Sequence, residues 1–79
     1  MFKNEIRLSD APPNQYVVSR IHHSNIVKRK CMMMGIYEGI ILKVVNNSNR
    51  MPTIIDVNSS RYSISKNIAS KIFVISSYL

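Results

Sequence analysis

Lys30-Cys31-Met32-Met33-Met34-Gly35-Ile36-Tyr37-Glu38-Gly39 reads as the end of a short helix closed by one glycine, followed by a strand opened by a second. Val27, Cys31 and Met34 recur at i, i+4 and i+7, which lines one helix face with apolar groups and turns Lys28, Arg29 and Lys30 elsewhere. Gly35 can take the left-handed backbone that ends a helix without steric cost, and Ile36 just beyond it can fold back onto the last turn. Gly39 then opens a strand over Ile40 to Val45. Ile40, Leu42 and Val44 form its inward row, and Ile41, Lys43 and Val45 the opposite one.

On either side of this stretch, short strands alternate with turn chemistry. Ile6 to Asn14 is an entry segment in which Leu8 anchors to the core and Pro12 and Pro13 impose extended or turn geometry. Val17, Ser19 and Ile21 alternate with Tyr16, Val18 and Arg20, the pattern of a first strand, and His22 to Asn25 is a polar break. Asn46 to Pro52 is a loop by composition, rich in asparagines that tolerate positive backbone angles. Thr53, Ile55 and Val57 make one row of the next strand and Ile54 and Asp56 the other. Asn58-Ser59-Ser60 turns into a strand with Tyr62 and Ile64 inward. Ser65 caps a helical turn running through Ala69, and Lys71 to Ile75 closes the set with Ile72 and Val74 inward. About five short strands with one helix between the first two are too few for two full sheets, so a mainly-β chain of this kind is expected to form one small closed barrel.

With 79 residues the chain is expected to be a single domain, residues 1–79, with a thin core and no disulfide. Cys31 is the only cysteine, on the apolar helix face, which points to packing in a reducing compartment rather than to a reactive thiol. No uninterrupted apolar run approaches the roughly 18 residues that a membrane span requires, because Glu38 and Lys43 interrupt the longest candidate. Met1-Phe2-Lys3-Asn4-Glu5 lacks the basic-then-apolar layout of a secretion signal, so the chain is expected in the cytoplasm.

Eleven Lys and Arg against four Asp and Glu give a net charge of +7, which makes nucleic acid, an acidic protein surface and an anionic membrane face the partners to weigh. The cations are spread along the chain apart from the cluster at Lys28, Arg29 and Lys30. No catalytic constellation is legible. Glu5, Asp10, Glu38 and Asp56 are scattered, Cys31 lacks a base and an orienting group, and the chain has too few glycines for a phosphate-cradling loop. His22, His23, Cys31 and the methionines are potential metal ligands. Thiolate and thioether suit copper or zinc better than ferrous iron, and adjacent histidines at a strand end point to opposite faces. We therefore expect no resident cofactor, no metal site and no enzyme.

The order Leu8, Lys30, Met34, Gly35, Ile36, Gly39, Leu42, Val44, Pro52, Ile55, Val57, Ile64, Ala69, Ile72, Val74 resembles the ferrous iron transport protein A family, FeoA, over nearly the whole chain. The family usually has Arg-Leu where this chain has Lys30-Cys31, Pro-Gly where it has Glu38-Gly39, and Gly-Asp-Pro where it has Arg50-Met51-Pro52. It also tends to have glycine near Ser59 and Leu-Arg in place of Ile64-Ser65. The missing glycine at Arg50 questions the usual turn geometry there. The resemblance implies a stand-alone SH3-like barrel that works as an accessory or regulatory factor beside FeoB, a membrane ferrous iron transporter with a cytosolic GTP-binding domain. Were GTP hydrolysis affected, it would be through ordering of the partner's residues or an arginine such as Arg29 or Arg50.

A protein-binding surface follows from the residues themselves. Met32 and Met33 lie off the buried helix face beside Lys28 and Arg29, and Tyr37 follows in the turn. Flexible methionines tolerate an imperfectly matched surface, and the adjacent cations favour an acidic one. Ile41 and Ile54 are expected on outward strand rows, where apolar groups cover or dock something, a second copy of the chain included. Weak attraction to anionic lipid, of order 1 kcal/mol per well-placed cation, would add to binding at the inner membrane. A basic SH3- or Sm-like nucleic-acid module is the alternative. The aromatics Phe2, Tyr16, Tyr37, Tyr62, Phe73 and Tyr78 do not interleave with cations as a stacking surface would.

Overall fold

The computed structural model describes residues 4–77, so Phe2, Lys3 and Tyr78 lie outside the described residues. The strands are β1 (Ile6–Arg7), β2 (Asn14–Ile21), β3 (Ile41–Asn46), β4 (Thr53–Val57), β5 (Ser60–Ile64) and β6 (Ile72–Ser76). Helix α1 (Asn25–Met34) connects β2 to β3, a one-turn helix α2 (Lys66–Ala69) precedes β6, and a 3-10 turn spans Leu8–Asp10. All strands belong to one antiparallel sheet in the order β1-β6-β2-β3-β4-β5, an SH3-like arrangement. There are six strands rather than about five. The additional one is the two-residue pairing of Ile6 and Arg7 with Val74 and Phe73, too short to leave an alternating signature in the entry segment.

The expected inward rows are the ones buried. Leu42 and Val44 of β3, Thr53, Ile55 and Val57 of β4, Ile64 of β5, and Ile72 and Val74 of β6 join Leu8, Val27, Cys31, Ile36 and Ala69 in one interior. In β2 the alternation breaks. Tyr16 and Val18 are buried, but the register shifts between Val18 and Arg20, so Ile21 rather than Arg20 packs next against the core. A bulge inserts one residue and rephases the strand. Ser19 sits at this bulge with its hydroxyl 2.7 Å from Glu5 Oε2 and 3.1 Å from the Phe73 carbonyl.

Closure is not a ring of backbone bonds, because β1 and β5 end the ladder without pairing to each other. Side chains close the seam instead. Asn47, just past β3, donates to the carbonyls of Leu8 (2.9 Å) and Ala11 (2.8 Å). Its carbonyl oxygen accepts from the Thr53 hydroxyl (2.7 Å) and from the Lys66 ammonium, which also reaches Thr53 Oγ1 at 3.2 Å. One asparagine thus joins the 3-10 turn, β4 and α2. It also supplies the partner that the fully buried Thr53 requires.

Candidate functional site

Helix α1 closes one end of the barrel. Val27 and Cys31 are buried beneath it, with Ile36 just beyond. At its C-terminus Gly35 has φ +71°, its N–H donates to the Met32 carbonyl (3.1 Å), and the Ile36 N–H reaches back to the Cys31 carbonyl (2.8 Å). This is a Schellman closure, sealed by contact of buried residues before and after the glycine. The β4–β5 turn grips the same point: Asn58 Nδ2 donates to the carbonyls of Gly35 (3.1 Å) and Met34 (3.4 Å). The other helix end is less well served. The Ser24 side chain makes no capping bond, the first turn has no acid, and Lys28, Arg29 and Lys30 follow within the first two turns. Lys28, at the end of the first turn, opposes the helix dipole, and no acid on the helix pairs with any of the three cations.

The outer face divides by helical spacing. Lys28 and Met32 line a groove of about 450 Å³ with Ile21, His23, Tyr37 and Glu38. Arg29 and Met33 lie on the adjoining face with Ile26 and Lys30. Of the six large hydrophobic side chains exposed among the described residues, four (Ile26, Met32, Met33, Tyr37) fall between residues 26 and 37. Met32 and Met33 are 78% and 74% exposed. Ile41 is also exposed and shares its surroundings with Asn58 and Ser59, which places it at the same end of the barrel as the helix cap. Ile54 is not brought to this surface. It is half-buried and pairs with Asn46 and Ser63, toward the opposite end of β4 from Asn58.

Of the other described cations, Arg20, Arg61, Lys66 and Lys71 are bonded to neighbouring side chains, and Arg7, Lys43 and Arg50 stand singly along the chain. Arg20 Nε lies 3.1 Å from Glu5 Oε1 and its guanidinium stacks over Phe73 at 3.9 Å. Arg61 pairs with Asp56 at 2.7 Å, which holds the Asp56 carboxyl below its ordinary range and raises the arginine. Lys71 bonds Asn67 Oδ1 at 3.1 Å. Among the described residues, Lys28, Arg29 and Lys30 take part in no ion pair. Burial pushes the Cys31 thiol up, which keeps it protonated and unreactive. His22 and His23 are exposed, and no cluster of metal-ligating side chains forms among the described residues.

Three features went unread in the sequence: the Asn47 junction, the Asn58 grip on the helix cap and the Arg20–Glu5–Phe73 cluster. Each depends on residues brought together from distant parts of the chain. The asparagine-rich tract was legible as a loop, but nothing in it signalled the bonds that Asn47 makes.

A family model described as the FeoA domain matches residues 6–76. The chain is similar to the crystal structure of an iron uptake regulatory protein (FeoA), with 26% identity and TM-score 0.83, covering 90% of this chain and 96% of that one. An FeoA-like protein from Clostridium acetobutylicum superposes with TM-score 0.81 at 22% identity, over 99% of this chain and 93% of that one. The repressor ScaR with bound Zn2+ gives TM-score 0.86 at 16% identity, over 98% of this chain but 39% of ScaR. The latter two likenesses concern the fold alone. No curated protein sequence matches.

Proposed function

The chain belongs to the FeoA domain family, and from that membership we propose that it is a non-enzymatic accessory protein of ferrous iron uptake. It docks through α1 and the turn to Gly39 onto the cytosolic GTP-binding part of the ferrous iron transporter, FeoB. The observation that carries this reading is the coincidence on α1 of unpaired cations with exposed methionines. The buried side of the helix fixes the geometry and the outer side is left to the partner. Among the described residues no helix is long and apolar enough to cross a membrane, so attachment to the membrane would come through the transporter and, weakly, through anionic lipid.

Protein docking fits the surface better than nucleic-acid stacking. Tyr16 is buried, Tyr62 and Phe73 are half-buried with Arg20 covering Phe73, and Tyr37 stands apart in a turn. No row of exposed aromatics lies on a strand face among the described residues.

A pull-down with the transporter's cytosolic domain tests the proposal. Met33→Asp, with circular dichroism unchanged, is expected to weaken capture at least about tenfold, since a buried unpaired carboxylate costs more than 1.4 kcal/mol. Full capture by Met32→Asp and Met33→Asp alike would overturn docking through this face.

A further inference from the structure

The free side of β5 offers a second surface, which adjoins the face just described and shares Lys30 and Met33 with it. β5 ends the ladder, and its register with β4 pairs Val57 with Ser60, Ile55 with Tyr62 and Thr53 with Ile64. In a two-residue hairpin the residues flanking the turn exchange both backbone bonds, and so does every second pair after them. Ser60, Tyr62 and Ile64 therefore direct their backbone groups to β4, while Arg61 and Ser63 direct theirs away. Nothing among the described residues takes up those two N–H groups and two carbonyls. β5 has no proline, no lysine and no register shift to blunt this edge, and its one charged residue, Arg61, is paired with Asp56 on the neighbouring strand.

A groove of about 440 Å³ runs beside this row. Tyr62 to Ser65 form one wall, Lys30, Met33 and Met34 of α1 the other, and Ile68 of α2 completes it. Met34, Tyr62 and Ile68 are packed against the core, so the floor is fixed, while Met33 is an exposed rim.

We propose that this channel receives an extended acidic segment of another protein, which adds to the sheet as a strand along β5. An extended occupant follows from backbone groups presented at strand spacing next to room for side chains. Its acidity follows from Lys30, which forms no ion pair among the described residues, and from a chain of net charge +7. A second copy would bring the same charge and set Lys30 near its own counterpart, which disfavours edge-to-edge pairing. The inference does not depend on the transporter being the partner, and the two tests use different probes.

The probe is an end-blocked octapeptide of alternating glutamate and valine, titrated into the isotope-labelled protein. Two further versions carry N-methyl groups on alternate amides, one for each edge of the peptide. Strand addition shifts the Arg61 and Ser63 amides and slows their hydrogen exchange. One methylated version then binds like the parent and the other at least about tenfold more weakly, the loss expected for two hydrogen bonds. Ser63→Pro removes an edge donor and Lys30→Glu reverses the charge, and each should weaken binding by about tenfold. If Ser63→Pro fails to fold, the methylated peptides still decide the matter. Equal binding by both methylated versions overturns the proposal, as does the absence of shifts at Arg61 and Ser63 with peptide at about 1 mM. So does a dimer in sedimentation equilibrium that protects those amides and is not displaced by peptide.

Discussion

Ser59 holds φ at +64° and Arg50 at +65°, left-handed backbone that costs an L-residue about 1–2 kcal/mol relative to its ordinary regions. These are the neighbourhoods in which the family resemblance places glycine, and here non-glycine residues hold the left-handed backbone. Asn58, at φ +53°, is the more tolerant partner in the same β4–β5 turn. Ser59→Gly and Arg50→Gly are each expected to raise the unfolding free energy by roughly 0.5–1 kcal/mol in urea titrations, the relief of strain less the added freedom of the unfolded chain. The two native glycines can be ranked. A Cβ on Gly39 meets nothing within 4 Å, whereas one on Gly35 would stand 2.4 Å from Asn58 Nδ2. Both have positive φ, so Gly39→Ala costs about 1–2 kcal/mol and Gly35→Ala about 1 kcal/mol more, as Asn58 surrenders its bonds to the helix end. In an Asn58→Ala background that excess should vanish, which a double-mutant cycle measures. The glycine stop itself was plain from the sequence, because its signal lies within a few adjacent residues. The asparagine pressed against it comes from another strand and left no local sign.

Periodicity exposed most elements, since the buried rows of β4 and β6 alternate, as does that of β3 up to Val44, after which its register with β4 shifts. β2 shows where such reading fails: a bulge is a pairing event, and its partner Phe73 lies far along the chain. The seam at Asn47 fails for the same reason. Asn47→Ala would leave two carbonyls, the buried Thr53 hydroxyl and the Lys66 ammonium without their common partner, and should cost about 2–4 kcal/mol in chemical denaturation. A conservative Asn47→Asp should not restore it, because the two donated bonds are lost. Across β4 and β5, Asp56 faces Arg61 directly. The folded state holds this carboxyl below its ordinary value, so its ionised form stabilises the fold at neutral pH, and that contribution fades as pH falls below about 4. The melting temperature of the native chain should therefore exceed that of Asp56→Asn at pH 7 and converge on it in acid.

For the whole molecule, a net charge of +7 conceals an uneven distribution. Arg20, Arg61, Lys66 and Lys71 are bonded within the barrel and Arg7, Lys43 and Arg50 stand singly, so α1 carries the one run of consecutive unpaired cations among the described residues. Reversal of Lys28, Arg29 and Lys30 together should weaken capture of the transporter domain and flatten its salt dependence between about 0.05 and 0.5 M, where screening lengths shrink to a few ångströms. Unchanged capture would remove the electrostatic part of the docking proposal. The cluster and the methionines could be read from helical spacing alone. Ile54 could not be set aside that way, because an outward row says nothing about which end of a barrel a residue occupies.

β2 and β3 are already neighbours in the ladder, joined by bonds from Gly39 to Val18 and from Val18 to Ile40, so the crossover that contains α1 is not required to bring them together. The helix is a cork rather than a hinge pin. Val27 and Cys31 on its inner side belong to the core, and on the docking proposal the side chains it turns outward are the ones that would meet a partner. On that proposal the outward set could change without disturbing the core, because the two sets share no buried contact.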